Sequence, residues 1–129
     1  MNFLSSEQVL FIHNRLIDIT GGMHGIRDLG LLQSAVARPM MTFGGEDLYP
    51  DIFHKVVALM ESLIKSHPFL DGNKRTAVTS AALFLERNGY ILQTTQTEIE
   101  RFTLGMAASK SSFGGAVEWF EKHSLRQRK

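Results

Sequence analysis

The 129-residue chain contains no cysteine, which excludes a disulfide framework, a thiolate metal site and a thiol nucleophile, and is compatible with a reducing cytosol. It also lacks any apolar run near the roughly 20 residues needed to span a bilayer. Its opening, MNFLSSEQVLFIHNRL, has no basic n-region, uninterrupted apolar core or small-residue cleavage site of a secretory signal, so a soluble cytoplasmic protein is expected. The formal net charge of +1 is too small to argue for a nucleic-acid or membrane surface, and neither partner is expected. The basic end RQRK, Arg126–Lys129, reads as a frayed, solvated terminus. Internal repeats, linkers and low-complexity tracts are also missing, and the length suits a single domain over residues 1–129.

No alternating run is long enough to build a sheet, whereas apolar residues recur at helical spacing almost throughout, so the fold class is all-α. The first helix is expected to start after Ser5 or Ser6, with Ser5 and Gln8 as a capping box, and to bury Val9, Ile12, Leu16 and Ile19. A second follows from the N-cap Asp28 through Leu31, Leu32 and Val36 and must stop before Pro39. RPMMTFGGEDLYP, Arg38–Pro50, reads as a loop or loose hairpin, in which Met40, Met41 and Phe43 fit either an exposed surface or the core. A third helix runs from about Pro50 or Asp51 to Lys65, with apolar Phe53, Val56, Val57, Met60 and Ile64 on one side. NKRTAVTSAALFLERNGY is the expected central helix, ended by Gly89. After a connector with one strand-like piece, Thr97 and Glu100 form a capping box for a helix carrying Ile99, Phe102, Leu104 and Met106, and a last helix covers Phe113 to His123. The whole is a compact bundle of about six helices.

One segment carries more reactive groups than a structural turn needs: HPFLDGNKRTA, His67–Ala77. A helix starting near Gly72 or Asn73 presents free backbone N–H groups and the positive end of its dipole there, which attracts anions. Lys74 and Arg75 stand in that first turn, where cations are unfavourable unless an anion answers them, so the pattern implies a bound polyanion, most simply a nucleotide polyphosphate. Gly72, without a Cβ, lets a phosphate oxygen approach the backbone. Asp71 can either cap the helix or hold Mg²⁺ against the phosphates. His67 precedes Pro68, so an extended backbone with a displayed ring is expected, and a histidine can act as general base near neutral pH. Phe69 reads as an anchor for the loop. The spacing is not that of a Walker A loop. His13, His24, His54 and His123 lack the paired spacing of a metal site and read as structural or surface histidines, so no zinc is expected.

HPFLDGNKRTA resembles the signature of the Fic/Doc family, His-x-Phe-x-Asp/Glu-Gly/Ala-Asn-Gly/Lys-Arg, and GIRDLGLLQSAVARP, TFGGEDLYP and AALFLERNGY look like its death-on-curing branch. The resemblance implies the helical Fic fold. Fic enzymes typically transfer AMP from ATP to a protein hydroxyl, and their motif has glycine after the asparagine and a second arginine three positions past the first. This chain has Lys74 and Val78 there. Lysine is similar to the Doc branch, which binds ATP in reversed sense and transfers its terminal phosphoryl group to a threonine of elongation factor Tu. The implied function is a toxin kinase, a protein Ser/Thr phosphotransferase that arrests protein synthesis. By the same resemblance, His67 is the catalytic base, Asp71 positions Mg²⁺ or the nucleophile, and Gly72, Asn73, Lys74 and Arg75 cradle the phosphates of ATP. Met41, Thr42, Phe43, Gly44 and Gly45 would form the flap that holds the target segment by backbone pairing.

The family's self-inhibitory Ser/Thr-x-x-x-Glu-Gly/Asn has no good copy here: Thr42 and Glu46 have the spacing, but Asp47 follows. Inhibition is therefore expected from an antitoxin whose disordered tail folds on the toxin. The competing readings are a Fic-type AMP transferase and, from another class, a catalytically silent module binding a nucleotide or a phosphorylated partner.

Overall fold

The computed structural model describes residues 1–127. Six helices form its body: α1 (Ser6–Thr20), α2 (Leu29–Ala37), α3 (Ile52–Ser66), α4 (Asn73–Arg87), α5 (Gln96–Ala107) and α6 (Phe113–Lys122). Two small antiparallel ribbons are added, β1 (Thr42–Phe43) with β2 (Glu46–Asp47), and β3 (Tyr90–Leu92) with β4 (Ser124–Arg126). The chain is mostly helical, as its periodicity predicts.

The helix starts follow local chemistry. Ser5 accepts the Gln8 amide while the Gln8 side chain returns to the Ser5 amide, closing the predicted box; Asp28 accepts the Leu31 amide. At α3, Asp51 Oδ1 accepts the amides of Phe53 and His54 at 3.0 and 2.9 Å and His54 Nδ1–H at 2.8 Å. Partial burial alone would raise the Asp51 carboxyl, but these hydrogen bonds and the His54 charge outweigh it and hold the pKa below the usual value. Asp51→Ala is therefore expected to lose about 0.5–2 kcal/mol of stability in urea unfolding. Because the folded-state pKa is depressed, that difference persists above the usual carboxylate range and disappears only as pH falls through the lower folded value.

Four expectations are corrected. The central helix is α3 rather than α4: Val56, Val57, Ala58, Leu59 and Met60 are consecutive and all buried, as happens only when neighbours cover a helix on every side. It packs against α2, α4, α5 and α6, while α4 leaves Lys74, Arg75, Glu86 and Arg87 in solvent. In α1, Ile19 is 72% exposed and Ile17 is buried in its place, since the loop before α4 packs on that side of the stripe. The capping box of α5 is Thr95 with Glu98, not Thr97 with Glu100. TTQTEIE carries the same signature in two registers, and the earlier start points Ile99, Thr103 and Met106 inward while leaving Leu104 exposed. Finally, Arg126 is not part of a frayed end: it pairs with Tyr90 in the β3–β4 ribbon, and the Gln127 amide donates to the Gly89 carbonyl at 2.7 Å. Arg128 and Lys129 lie outside the described residues.

Candidate active site

The signature segment joins α3 to α4. His67 is the C-cap of α3 at φ 50°, ψ 62°, a left-handed conformation rather than the extended one expected from the following proline. The reversal off α3 demands it, as helices commonly end on one left-handed residue, usually glycine. For a residue with a Cβ this costs about 1–2 kcal/mol. The neighbouring carbonyls hold it there: Arg27 Nε donates to the His67 carbonyl and Arg27 Nη2 to that of Ser66, both at 2.6 Å. The amides of Arg27 and Asp28 donate to the Pro68 carbonyl. The His67 side chain is left exposed. Arg27 is a positioning residue that sequence reasoning passed over, although it stands in the quoted stretch GIRDLG; an exposed arginine carries no signal of what it holds.

Phe69 is the expected anchor. It is 1% exposed, its ring stacks on His13 at 3.9 Å and 5°, and its backbone forms a bridge with Ile26. Asn73 clasps this residue from both sides: Oδ1 accepts the Phe69 amide and Nδ2 donates to the Phe69 carbonyl, each at 3.0 Å. The Asn73 carboxamide is thus committed to the loop, and only its backbone N–H faces the anion site.

Gly72 is the N-cap of α4 at φ 74°, without a side-chain cap. A Cβ there would lie 3.1 Å from Ile17 Cδ1, so glycine is required by this conformation and by packing on α1. Asp71 does not cap the helix. Its Oδ2 accepts the Met23 amide at 3.1 Å and its Oδ1 the Gly72 amide at 2.8 Å. These two bonds, then the Arg75 charge, hold its pKa below the usual carboxylate range, so an ionised, exposed carboxylate stands at the mouth of α4. The Thr76 amide is the first to bond back, to the Gly72 carbonyl at 3.0 Å, which leaves the amides of Asn73, Lys74 and Arg75 for an anion. Lys74 and Arg75 are exposed beside them, and Arg75 Nη1 also donates to Thr20 Oγ1.

The site adjoins two grooves. One, of about 500 Å³, runs from Lys74 and Arg75 between α1, α4 and α5 and is lined by Leu16, Val78, Ile99 and Leu104. The other, of about 470 Å³, reaches from Met41 past Leu31 and Ala35 to Ser66, the residue before His67. It links the β1–β2 hairpin to the signature. That hairpin turns on Gly44 and Gly45, both at positive φ as a two-residue hairpin loop of the mirror-image type needs. Phe43 is 82% exposed and Met40 and Met41 are also exposed, so these residues are not core. Its base is pinned from below: Lys55, 3% exposed, donates through Nζ to Asp47 Oδ2 at 3.1 Å and to the Tyr49 carbonyl, and Arg38 Nε donates to Tyr49 Oη at 2.8 Å. Lys55→Met is expected to lose about 1.5–3 kcal/mol, the range for hydrogen bonds to a charged group. Urea unfolding measures it, and faster amide exchange at Leu48 would accompany it, because the Leu48 amide closes the hairpin on the Met41 carbonyl.

A profile of the Fic/DOC family matches residues 3–85, from before α1 to the last turns of α4. The chain belongs to the Fic/DOC family. It is similar to a protein called Toxin Doc from Mycolicibacterium smegmatis, 51% identical over 69 residues, which are 54% of this chain and 53% of that one. It is also similar to Protein kinase doc of Escherichia phage P1, 30% identical over 118 residues, 92% of each chain. The alignment thus spans about half the length of the first relative and nearly all of the second. The Fic/DOC match takes in His67, Asp71, the first turn of α4 and the hairpin. Val78, where Fic-type AMP transferases carry their second arginine, lines the groove beside Lys74.

Proposed function

We propose that the chain is a Doc-type toxin kinase of a toxin–antitoxin system, transferring the γ-phosphoryl group of ATP to a threonine hydroxyl of a translation factor such as elongation factor Tu. The observation that carries this is the mouth of α4, where three free amides and two cations meet an ionised carboxylate, with an exposed histidine held in a strained conformation at the other end of the same short loop. The names of the two relatives, a toxin and a protein kinase, favour the phosphoryl reading.

In that reading the amides of Asn73, Lys74 and Arg75 and the side chains of Lys74 and Arg75 hold and neutralise the phosphates. His67 takes the proton of the target hydroxyl as its oxygen bonds to the γ-phosphorus, and the bond from that phosphorus to the β–γ bridging oxygen breaks, releasing ADP. Little covalent chemistry falls to the protein, so alignment and charge stabilisation supply the rate. Asp71 suits Mg²⁺, which usually takes one or two carboxylates together with substrate phosphate oxygens. Bound there, the ion would add positive charge against the phosphates. The exposed hairpin, with Met41, Thr42, Phe43, Gly44 and Gly45, offers β1 as an edge for the target segment, which would then run along the groove toward His67. The apolar groove between α1, α4 and α5 suits the folded tail of an antitoxin, whose carboxylates would meet Lys74 and Arg75. The reading sets this activity in the cytoplasm; among the described residues no helix is long and apolar enough to cross a membrane.

The test is a pair of reactions of the purified protein with Mg²⁺, elongation factor Tu and ATP labelled at the α or the γ position. Transfer of γ label to a threonine of the factor is the expected result. Transfer of α label instead would make the protein an AMP transferase. Label appearing only on other proteins of a bacterial lysate would change the target, and nucleotide binding with no transfer at all would leave a silent binding module.

A further inference from the structure

We infer that His13, on α1 and remote in sequence from the signature, is the positioning residue that selects the orientation of the Asp71–Gly72 peptide and so aims the anion site. His13 is fully buried. Its Nε2 lies 2.8 Å from the Asp71 carbonyl oxygen, and its Nδ1 is buried with no hydrogen-bond partner. A carbonyl oxygen only accepts, so Nε2 carries a proton and donates it to the Asp71 carbonyl. The place of this proton is dictated by one contact and opposed by none.

The contact matters because of what lies across the peptide. No peptide bond among the described residues is cis, so the Asp71 carbonyl and the Gly72 N–H point in opposite directions. With the carbonyl drawn inward by His13, the N–H faces outward and is met by Asp71 Oδ1 at 2.8 Å. Turning the peptide over would exchange the two and carry Gly72 out of its φ of 74°. It would also break one of the two bonds that orient the Asp71 carboxylate and tilt the first turn of α4, where the free amides stand. Glycine alone does not choose between these arrangements, because it adopts both signs of φ with similar ease. His13 makes the choice, and its ring is itself fixed by the stack on Phe69 at 3.9 Å.

The kinetic consequence rests on the phosphoryl-transfer reading; the conformational one does not. His13→Phe keeps a flat ring against Phe69 and removes the donor, while His13→Gln keeps a donor at the position of Nε2. In His13→Phe the three-bond HN–Hα couplings of Gly72 are expected to move to averaged values. The kcat for γ-phosphoryl transfer should fall about 10²-fold, as for a misplaced reacting geometry, with the KM for the target protein unchanged. His13→Gln should restore the Gly72 couplings and bring kcat within several-fold of the wild type. Unchanged Gly72 couplings in His13→Phe, or altered couplings with unchanged kcat, would overturn the assignment. Should that variant not fold, the ring-nitrogen spectrum of the wild type decides, since a proton on Nδ1 rather than Nε2 is incompatible with it. A wild type that transfers nothing, yet whose Gly72 couplings respond to His13→Phe, would remove the kinase reading and leave the positioning role intact.

Discussion

Replacing His67 with alanine is expected to lower phosphoryl transfer by about 10²–10⁴-fold, the range for loss of a general base, with ATP binding at α4 unchanged. The side chain is exposed, so its removal should be nearly silent in unfolding experiments. Alanine carries the same Cβ into the left-handed region, so the backbone strain at φ 50° stays. Glycine does not, and His67→Gly is therefore expected to be more stable than the wild type by about 1 kcal/mol. It should be as inactive as His67→Ala. A variant that gains stability and loses function together identifies strain kept for a purpose. Steady-state transfer of γ label and urea midpoints measure the two quantities; retained transfer in either variant would put the base elsewhere.

The second large effect concerns the anchor. Phe69→Ala is expected to lose about 3–5 kcal/mol, as for a fully buried aromatic whose cavity cannot collapse. The site beneath it is rigid on three sides: the His13 ring, the Asn73 carboxamide on both polar groups of the Phe69 backbone, and the bridge to Ile26. The loss should also reach the anion site, because Asn73 is both the clasp and the first residue of α4. A urea midpoint lowered accordingly at unchanged m-value, with weakened ATP binding at temperatures where the variant is folded, is the expected pair of results. A loss below about 1 kcal/mol would mean that the loop is held by its hydrogen bonds alone.

What was legible in the chain is what is local. Ser5–Gln8 and Asp28 are caps whose partners lie within three residues, and the structure contains both of them. Thr95 and Thr97 show where that method stops: the signature fits both registers, and only the burial of Ile99, Thr103 and Met106 against other helices chooses. The same holds for Ile17 over Ile19, decided by a loop more than fifty residues away. At the site, the residue types of the signature were legible, but not the division of labour. Asn73 looked like a phosphate ligand and its side chain is a clasp; His67 looked extended and is left-handed because α3 must end there. Arg27 and His13, which hold the segment from outside it, had no local mark, for their partners are backbone carbonyls that every residue possesses.

The β3–β4 ribbon gives the second half of the chain a property of its own. Tyr90–Leu92 and Ser124–Arg126 lie side by side, so the stretch that carries α5 and α6 begins and ends at one place, like a bracket hung from two adjacent hooks. Met106, Val117 and Phe120 must keep their size to fill the core, but Gln96, Glu100 and Leu104 face the groove beside α4. Those groove residues come from the bracket, while His67, Asp71 and the mouth of α4 come from the helices that precede it. On the proposed reading, substitutions on α5 can therefore alter the part of the inhibitor groove that lies outside the catalytic segment, while Lys74 and Arg75 stay common to both.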